Sequence, residues 1–524
     1  MNAHAQSPNQ AAAFETASQM LHRLAKGEVT SAELVEQHIA RIEAVNPALN
    51  AIVVKRYDAA RKEAADIDRR RKSGETMPPL AGLPVTIKES FDFQGLPSTY
   101  GVQSRANAIA ASDDPYVAAL RKAGAVALGK TNVPQLLIFI ESDNPVYGRT
   151  NNPWNAERTC GGSSGGEAAI IAAGGSPLGL GNDIGGSCRY PANFCGIVGI
   201  KPTKGRNPDA GMDGVSRGEQ TIVSQVGILA RTVEDVALGL RVIDRAIKAP
   251  LVPAPPLADF RAIDPHALKV GFYTDDGVML SSPAIRRAVR EASQHLAGAG
   301  AEVVEWTPPS PEKALHLLFA LLSADGGKDF RHLLRGGAVH SSIKPLLFLA
   351  GRSRATLSLM RAVLKLAGQP TLAEATKSFG HTDAASYWAL TDELIAYRRA
   401  FGEAMDKAGI DLILGPTCAI PAFAHGATKD LALAGANAAM HNVTGYPAGS
   451  VPVTRIRKGE EGPRPDSRDL VEKAARKCEL GSAGLPVGVQ VAGRPWREDQ
   501  VFAAMNVIEQ AAPQSADFPH RPPV

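Results

Sequence analysis

Two short stretches of this chain bring serine and glycine together. Cys160-Gly-Gly-Ser-Ser-Gly-Gly-Glu167 carries Ser163 and Ser164, and Gly181-Asn-Asp-Ile-Gly-Gly-Ser-Cys-Arg189 carries Ser187, twenty-four residues beyond Ser163. Glycine permits positive φ and close backbone approach, so several N–H groups can converge on one point, as stabilising a developing oxyanion requires. Serine-based nucleophilic chemistry is the first expectation.

An unassisted serine is a poor nucleophile and needs a base. The twelve histidines show no H-E-x-x-H spacing and none lies beside either turn, although a triad assembled in space could still recruit one. A lysine is the alternative. Lys88 ends the apolar run Leu83-Pro-Val-Thr-Ile-Lys88, and a lysine drawn inward at a strand end loses hydration, which lowers its pKa from about 10.4 toward neutrality. Three units correspond to roughly 4 kcal/mol, within reach of burial. Taken alone, such a lysine is more often solvated or ion-paired.

Two competing motifs are weak. Gly161-Gly-Ser-Ser-Gly165 formally matches the G-x-S-x-G nucleophile elbow, but an elbow follows a strand, and residues 151–157 do not read as one. Gly179-Leu-Gly-Asn-Asp-Ile-Gly185 misses G-x-G-x-x-G by one residue, and no G-x-x-x-x-G-K-[ST] is present, which argues against a phosphate cradle.

The elements that must position these residues read as an α/β chain. Helices are expected at Phe14 to Lys26, at Ser31 to Val45 behind the capping box Thr30-Ser31-Ala32-Glu33, at Tyr116 to Lys122 and at Gly165 to Ala173. Strands are expected at Leu83 to Lys88, Ala125 to Gly129, 196–201, 269–273, 411–415, 448–453 and 486–492. Buried apolar strands alternating with helices predict a large sheet with helices on both faces. Strand candidates at both ends and no linker between them favour one domain over 14–524, after a disordered tail at 1–13. Residues 306–385 read as helices almost throughout, with the apolar groups Leu315, Leu317, Leu318, Phe319, Leu321, Leu322 and Leu346 to Leu349. That insertion suits a substrate lid, a dimer surface or plain core. The charged stretch 455–478 reads as a long solvated loop.

Composition narrows the class. The chain has 57 basic against 53 acidic residues among 524, a balance too even to imply nucleic acid or an anionic membrane as partner. Five cysteines without a C-x-x-C pair argue against a disulfide framework or zinc ribbon and fit a reducing cytoplasm. No secretory leader is legible at 1–13, and no run of about 18 apolar residues predicts a membrane span. Nothing calls for a metal or cofactor.

The run Gly161 through Thr203, GGSSGGEAAIIAAGGSPLGLGNDIGGSCRYPANFCGIVGIKPT, closely resembles the signature segment of the amidase signature hydrolases. The resemblance continues at Gly82-Leu-Pro-Val-Thr-Ile-Lys-Glu89, Gly129-Lys-Thr-Asn-Val-Pro134, Asn152-Pro-Trp154 and Gly484-Leu-Pro-Val-Gly-Val-Gln490, covers most of the chain, and weakens over 245–405. The words around both serines are closest to the fatty acid amide hydrolase-like branch, without its amino-terminal membrane helix.

The resemblance implies an amidase signature fold, a mixed central β-sheet covered by helices, and a Ser-cisSer-Lys triad. Ser187 would be the nucleophile. Ser163, following Gly162 through a cis peptide bond, would relay its proton to Lys88, the base. The N–H groups of Ile184, Gly185, Gly186 and Ser187 would form the oxyanion hole, and an acyl-enzyme would follow. Ser164 would bond locally, Asp183 and Arg189 would hold the loop, Cys160 and Cys188 would be bystanders, and Glu167 would offset a helix dipole. By the same resemblance Leu136-Leu-Ile-Phe-Ile140 borders the acyl pocket, with Leu137, Ile138, Phe139 and Ile140 as substrate contacts suited to aliphatic or aryl groups. The expected activity is hydrolysis of small hydrophobic or aryl amides. The same triad would serve a carbamate or ester hydrolase, and the signature is shared with the glutaminase subunit of a tRNA-dependent amidotransferase. A non-catalytic interaction protein is disfavoured by retention of all three triad residues. Relatives suggest a homodimer, with the 306–385 helices as its surface.

Overall fold

The computed structural model describes residues 13–208, 218–244, 246, 253–462 and 464–524; the expected tail, apart from Ala13, lies outside them. Eleven strands form one mixed sheet. In chain order they are β1 Ile52–Lys55, β2 Pro84–Lys88, β3 Val126–Thr131, β4 Leu178–Asp183, β5 Val198–Lys201, β6 Gln225–Ala230, β7 Lys269–Phe272, β8 Glu302–Glu305, β9 Leu412–Pro416, β10 Ala448–Arg455 and β11 Pro486–Gly493. Their spatial order is β1-β3-β2-β4-β6-β5-β10-β11-β9-β7-β8. Strands from residues 52–230 therefore fill one half, strands from 269–493 fill the other, and the antiparallel pair β5/β10 is the seam. The architecture is the expected α/β fold.

Strands β2, β3, β4, β9 and β11 are buried along their whole length, which is why apolar runs rather than alternation mark most of them. The exception is β4, Leu-Gly-Leu-Gly-Asn-Asp, which pairs parallel with β2 and antiparallel with β6. Sequence reading treats this stretch as turn, because glycine is a poor strand former. Packing reverses that preference. A Cβ at Gly179 would lie 1.9 Å from Glu167 Oε2, and one at Gly181 would lie 2.7 Å from Leu229 Cδ1 and 2.9 Å from Ser164 Oγ. Glycine at both positions lets the helix Gly165–Ala172 lie directly on the strand.

The capping box forms as expected: Glu33 N donates to Thr30 Oγ1 at 3.1 Å and Thr30 N donates to Glu33 Oε2 at 2.7 Å. Its helix runs to Leu49, past the expected Val45. Two expectations are corrected. Residues 151–157 are not strand-free, since Asn151–Asn152 and Asn155–Thr159 pair as a small hairpin outside the main sheet. The stretch 455–478 is not all loop: the helix Leu470–Glu479 occupies its second half, and buried Arg464 pairs with Glu479 at 3.1 Å.

Between β8 and β9 lies the helical region, with helices Pro311–Leu322, Lys328–Leu333, Ile343–Ala350, Arg354–Leu366 and Pro370–Ala375 before the long helix Ala384–Ala408. Leu315, Leu317, Leu318 and Leu321 join a core cluster, whereas Phe348, Leu359, Val363 and Leu366 are exposed.

Candidate active site

Parallel neighbours β2 and β4 end side by side, and their ends carry the polar groups. Ligand sites in open α/β sheets gather at the carboxyl ends of strands because the following turns aim backbone N–H groups there. Lys88, the last residue of β2, is fully buried and donates to Ser163 Oγ at 2.7 Å. It also donates to Asn182 Oδ1 in β4. The expected lysine–serine contact is thus present.

Ser163 is held in a turn that only glycine permits. Gly161 has φ +90°, and a Cβ at Gly162 would lie 2.5 Å from Phe139 O. The Gly162–Ser163 peptide is cis. The two serine turns are joined directly, since Ser164 N donates to Ser187 O at 3.1 Å. Ser187 keeps 9% exposure, enough to face a ligand.

A buried ion pair braces the second turn. Arg189 Nη2 lies 2.9 Å from Asp183 Oδ1, and both side chains are fully inaccessible. Burial alone would raise the Asp183 pKa, but the Arg189 charge and hydrogen bonds from Arg189 and Asn442 outweigh it and hold the carboxyl well below the usual range. Gly186 N donates to Asp183 Oδ1 at 2.7 Å and Cys188 N to Oδ2 at 3.1 Å. Of the four N–H groups expected to face an oxyanion, that of Gly186 is therefore turned toward Asp183. Arg189 in turn reaches Ala438 O at 2.8 Å, Gln490 Oε1 at 2.5 Å and Asn442 Oδ1 at 2.6 Å, tying the loop across the seam.

Glu167 does more than sit near a helix dipole. Fully buried, it accepts from Thr86 Oγ1 at 2.6 Å and Thr131 Oγ1 at 2.9 Å, fastening its helix to β2 and β3. Burial pushes its pKa up to about 8. Lys201, at the end of β5, is pushed down to about 7 by burial and next by Arg189. Burial raises the thiols of Cys160 and Cys188 well above their ordinary value, which makes them unreactive.

Ser163, Asn182 and Ser187 open on a cavity of about 1090 Å³. Leu137, Ile138, Phe139 and Ile140 line it, with Ile184 and Gly185 beside the second serine turn. The opposite wall comes from the helical region: Leu318, Phe319, Leu322, Leu346, Leu349, Met360 and Leu364. Sequence reading flagged several of these as an apolar group but could not aim them at the serines. It missed Asn182 altogether, although its position inside the quoted signature run was a signal. Among the described residues, no cluster of three or more His, Cys, Asp or Glu could hold a metal ion, and no helix is long and apolar enough to cross a membrane.

The profile of the amidase family matches residues 33–502. The chain belongs to the amidase family. It is 32% identical over 500 residues to fatty-acid amide hydrolase 1 of Sus scrofa, covering 94% of this chain and 85% of that protein. It is also 32% identical over 519 residues to a glutamyl-tRNA(Gln) amidotransferase subunit of Synechococcus sp. (strain CC9605), covering 96% and 98%. A solved fatty acid amide hydrolase superposes with a TM-score of 0.80 at 25% identity, covering 96% of this chain and 86% of that one. The amidase is thus an amidohydrolase carried on the expected mixed sheet.

Proposed function

We propose that this amidase cleaves small amides bearing hydrophobic or aryl groups, with Ser187 as nucleophile, Ser163 as relay and Lys88 as base. The observation that carries the reading is the 2.7 Å Lys88–Ser163 hydrogen bond at the wall of a large apolar cavity that Ser187 also faces. Ser187 Oγ attacks the carbonyl carbon as its proton passes to Ser163, whose own proton passes to Lys88 Nζ. The oxyanion is met by the N–H groups of Ile184, Gly185 and Ser187, while Gly186 anchors the turn on Asp183. The proton then returns through Ser163 to the leaving nitrogen, the C–N bond breaks, and water hydrolyses the acyl-enzyme. Asn182 holds the lysine amine toward the relay.

The lining of Leu137, Ile138, Phe139 and Ile140, faced by Leu318, Phe319 and Leu322, supports an apolar acyl group and weighs against glutamine as substrate. Five unpaired, buried cysteines support a reducing compartment such as the cytoplasm.

The test is amine release from matched acyl anilides, with esters, aryl carbamates and glutamine as the other arms. Anilide turnover is expected, falling at least about 10³-fold in Ser187→Ala. Faster ester or carbamate turnover would reassign the bond class. Turnover of glutamine alone would replace the reading with a glutaminase subunit.

A further inference from the structure

The apolar wall beside the serines is made by backbone in an unusual conformation. Leu136, Leu137 and Phe139 have φ of 58°, 59° and 85°, left-handed values that a Cβ disfavours. Residues with bulky side chains stay there only where their surroundings over-determine them. The surroundings here are specific. Leu136 N donates to Tyr100 O at 2.8 Å, and Ile140 N donates to Thr428 Oγ1 at 3.1 Å.

A further anchor is the side chain just before the segment. Gln135 is 1% exposed. Its Nε2 donates to Ala338 O at 2.8 Å, and its Oε1 accepts from His340 N at 2.8 Å. Both ends of one amide are therefore committed to residues 338–340 of the helical region. A second, more exposed glutamine helps, since Gln103 Oε1 accepts from Ala338 N at 2.7 Å. Around this clamp, Leu334 and Ile343 pack in one cluster with Leu136 and Leu137.

We propose that Gln135 is a positioning residue that sets acyl-group selectivity by locking residues 338–340 of the helical region onto the left-handed wall segment. The inference rests on the reading of residues 136–140 as the acyl wall. Gln135 does not line the main cavity itself, so it acts only through its neighbours. Glutamine suits the role because it donates and accepts at once; glutamate would lose the donor, and methionine would lose both while keeping the length. When the clamp opens, Ala338 O and His340 N exchange their partner for water, the buried Gln135 side chain no longer ties them to the wall, and the wall can leave its left-handed conformation. Substrates that lean on the wall then suffer, and those too small to reach it do not.

The experiment compares wild type, Gln135→Met and Gln103→Ala on acetanilide and on anilides with progressively longer alkyl or phenyl acyl groups. For Gln135→Met, KM is expected to rise about 10–100-fold for the largest acyl groups, with kcat and acetanilide turnover changed less than about threefold. Gln103→Ala is expected to move the same way by about two- to fivefold, and it carries the test alone should Gln135→Met not fold. Equal losses across all acyl lengths would overturn the proposal in favour of a purely structural role. An unchanged length profile in an active enzyme would overturn it as well. If wild type releases amine from no anilide, the acyl-wall reading itself falls and the clamp with it.

Discussion

The sheet-borne floor of the cavity and its helical roof are built on opposite plans. On the floor, Lys88, Ser163, Asp183 and Arg189 are buried and hydrogen-bonded, and a Cβ at Gly162, Gly165, Gly181 or Gly186 would collide with a neighbour. The roof is made of short helices that turn apolar residues both ways: Leu318, Leu322 and Leu364 toward the cavity, and Leu359, Val363 and Leu366 toward solvent. Tight packing fixes geometry, whereas a helix exposed over most of its surface, such as Arg354–Leu366, can shift at less cost than the core-packed Pro311–Leu322. The polar groups thus sit on the part with the least freedom to move, and much of the apolar cavity lining on the part with more.

The contrast can be broken first at Arg189. Arg189→Met strands Asp183 as an unpaired buried charge, and stability is expected to fall by about 3–5 kcal/mol, read from urea unfolding; a loss under about 1 kcal/mol would mean the floor is less constrained than its contacts imply. Glu167 offers a subtler probe. Its carboxyl keeps its proton up to about pH 8 in the folded chain and only to about 4.5 unfolded, so its contribution is complete below pH 4.5 and is lost as pH rises toward 8. Glu167→Gln carries no charge at any pH, so its stability relative to wild type should improve across that window by about 5 kcal/mol; parallel stability curves would sink the idea. The smallest effect belongs to the roof. Leu366 is 90% exposed, and Leu366→Ser should change stability by less than about 0.5 kcal/mol; a clear loss in the unfolding midpoint would reveal a hidden partner for that face.

What is legible in the sequence follows the same division. Strands such as Pro84–Lys88 and Pro486–Gly493 are readable because burial on both faces writes itself as an apolar run. Four strands escape that reading. Ile52–Lys55 and Glu302–Glu305 are only four residues long, and Gln225–Ala230 carries no turn signal to set it off. Leu178–Asp183 is hidden by glycines whose purpose is close contact with Glu167 and Ser164. The serines and Lys88 stand out through motif and spacing. The acceptors of Arg189 at Ala438, Asn442 and Gln490 do not, because nothing local at position 189 encodes partners some 250–300 residues away.

That distance along the chain has a temporal meaning. Ribosomes add roughly 5–20 residues per second, so about 15–60 s separate synthesis of Arg189 from that of Gln490 across the β5/β10 seam. Through that interval the nascent chain already carries Lys88, Ser163, Ser187 and the Asp183–Arg189 pair, while the outer acceptors of Arg189 arrive only from Ala438 onward and the last of them, Gln490, closes the interval. The first half of the polypeptide is thus made before its seam partner exists, and the last strand but one to be translated, β10, is the piece that begins to close it.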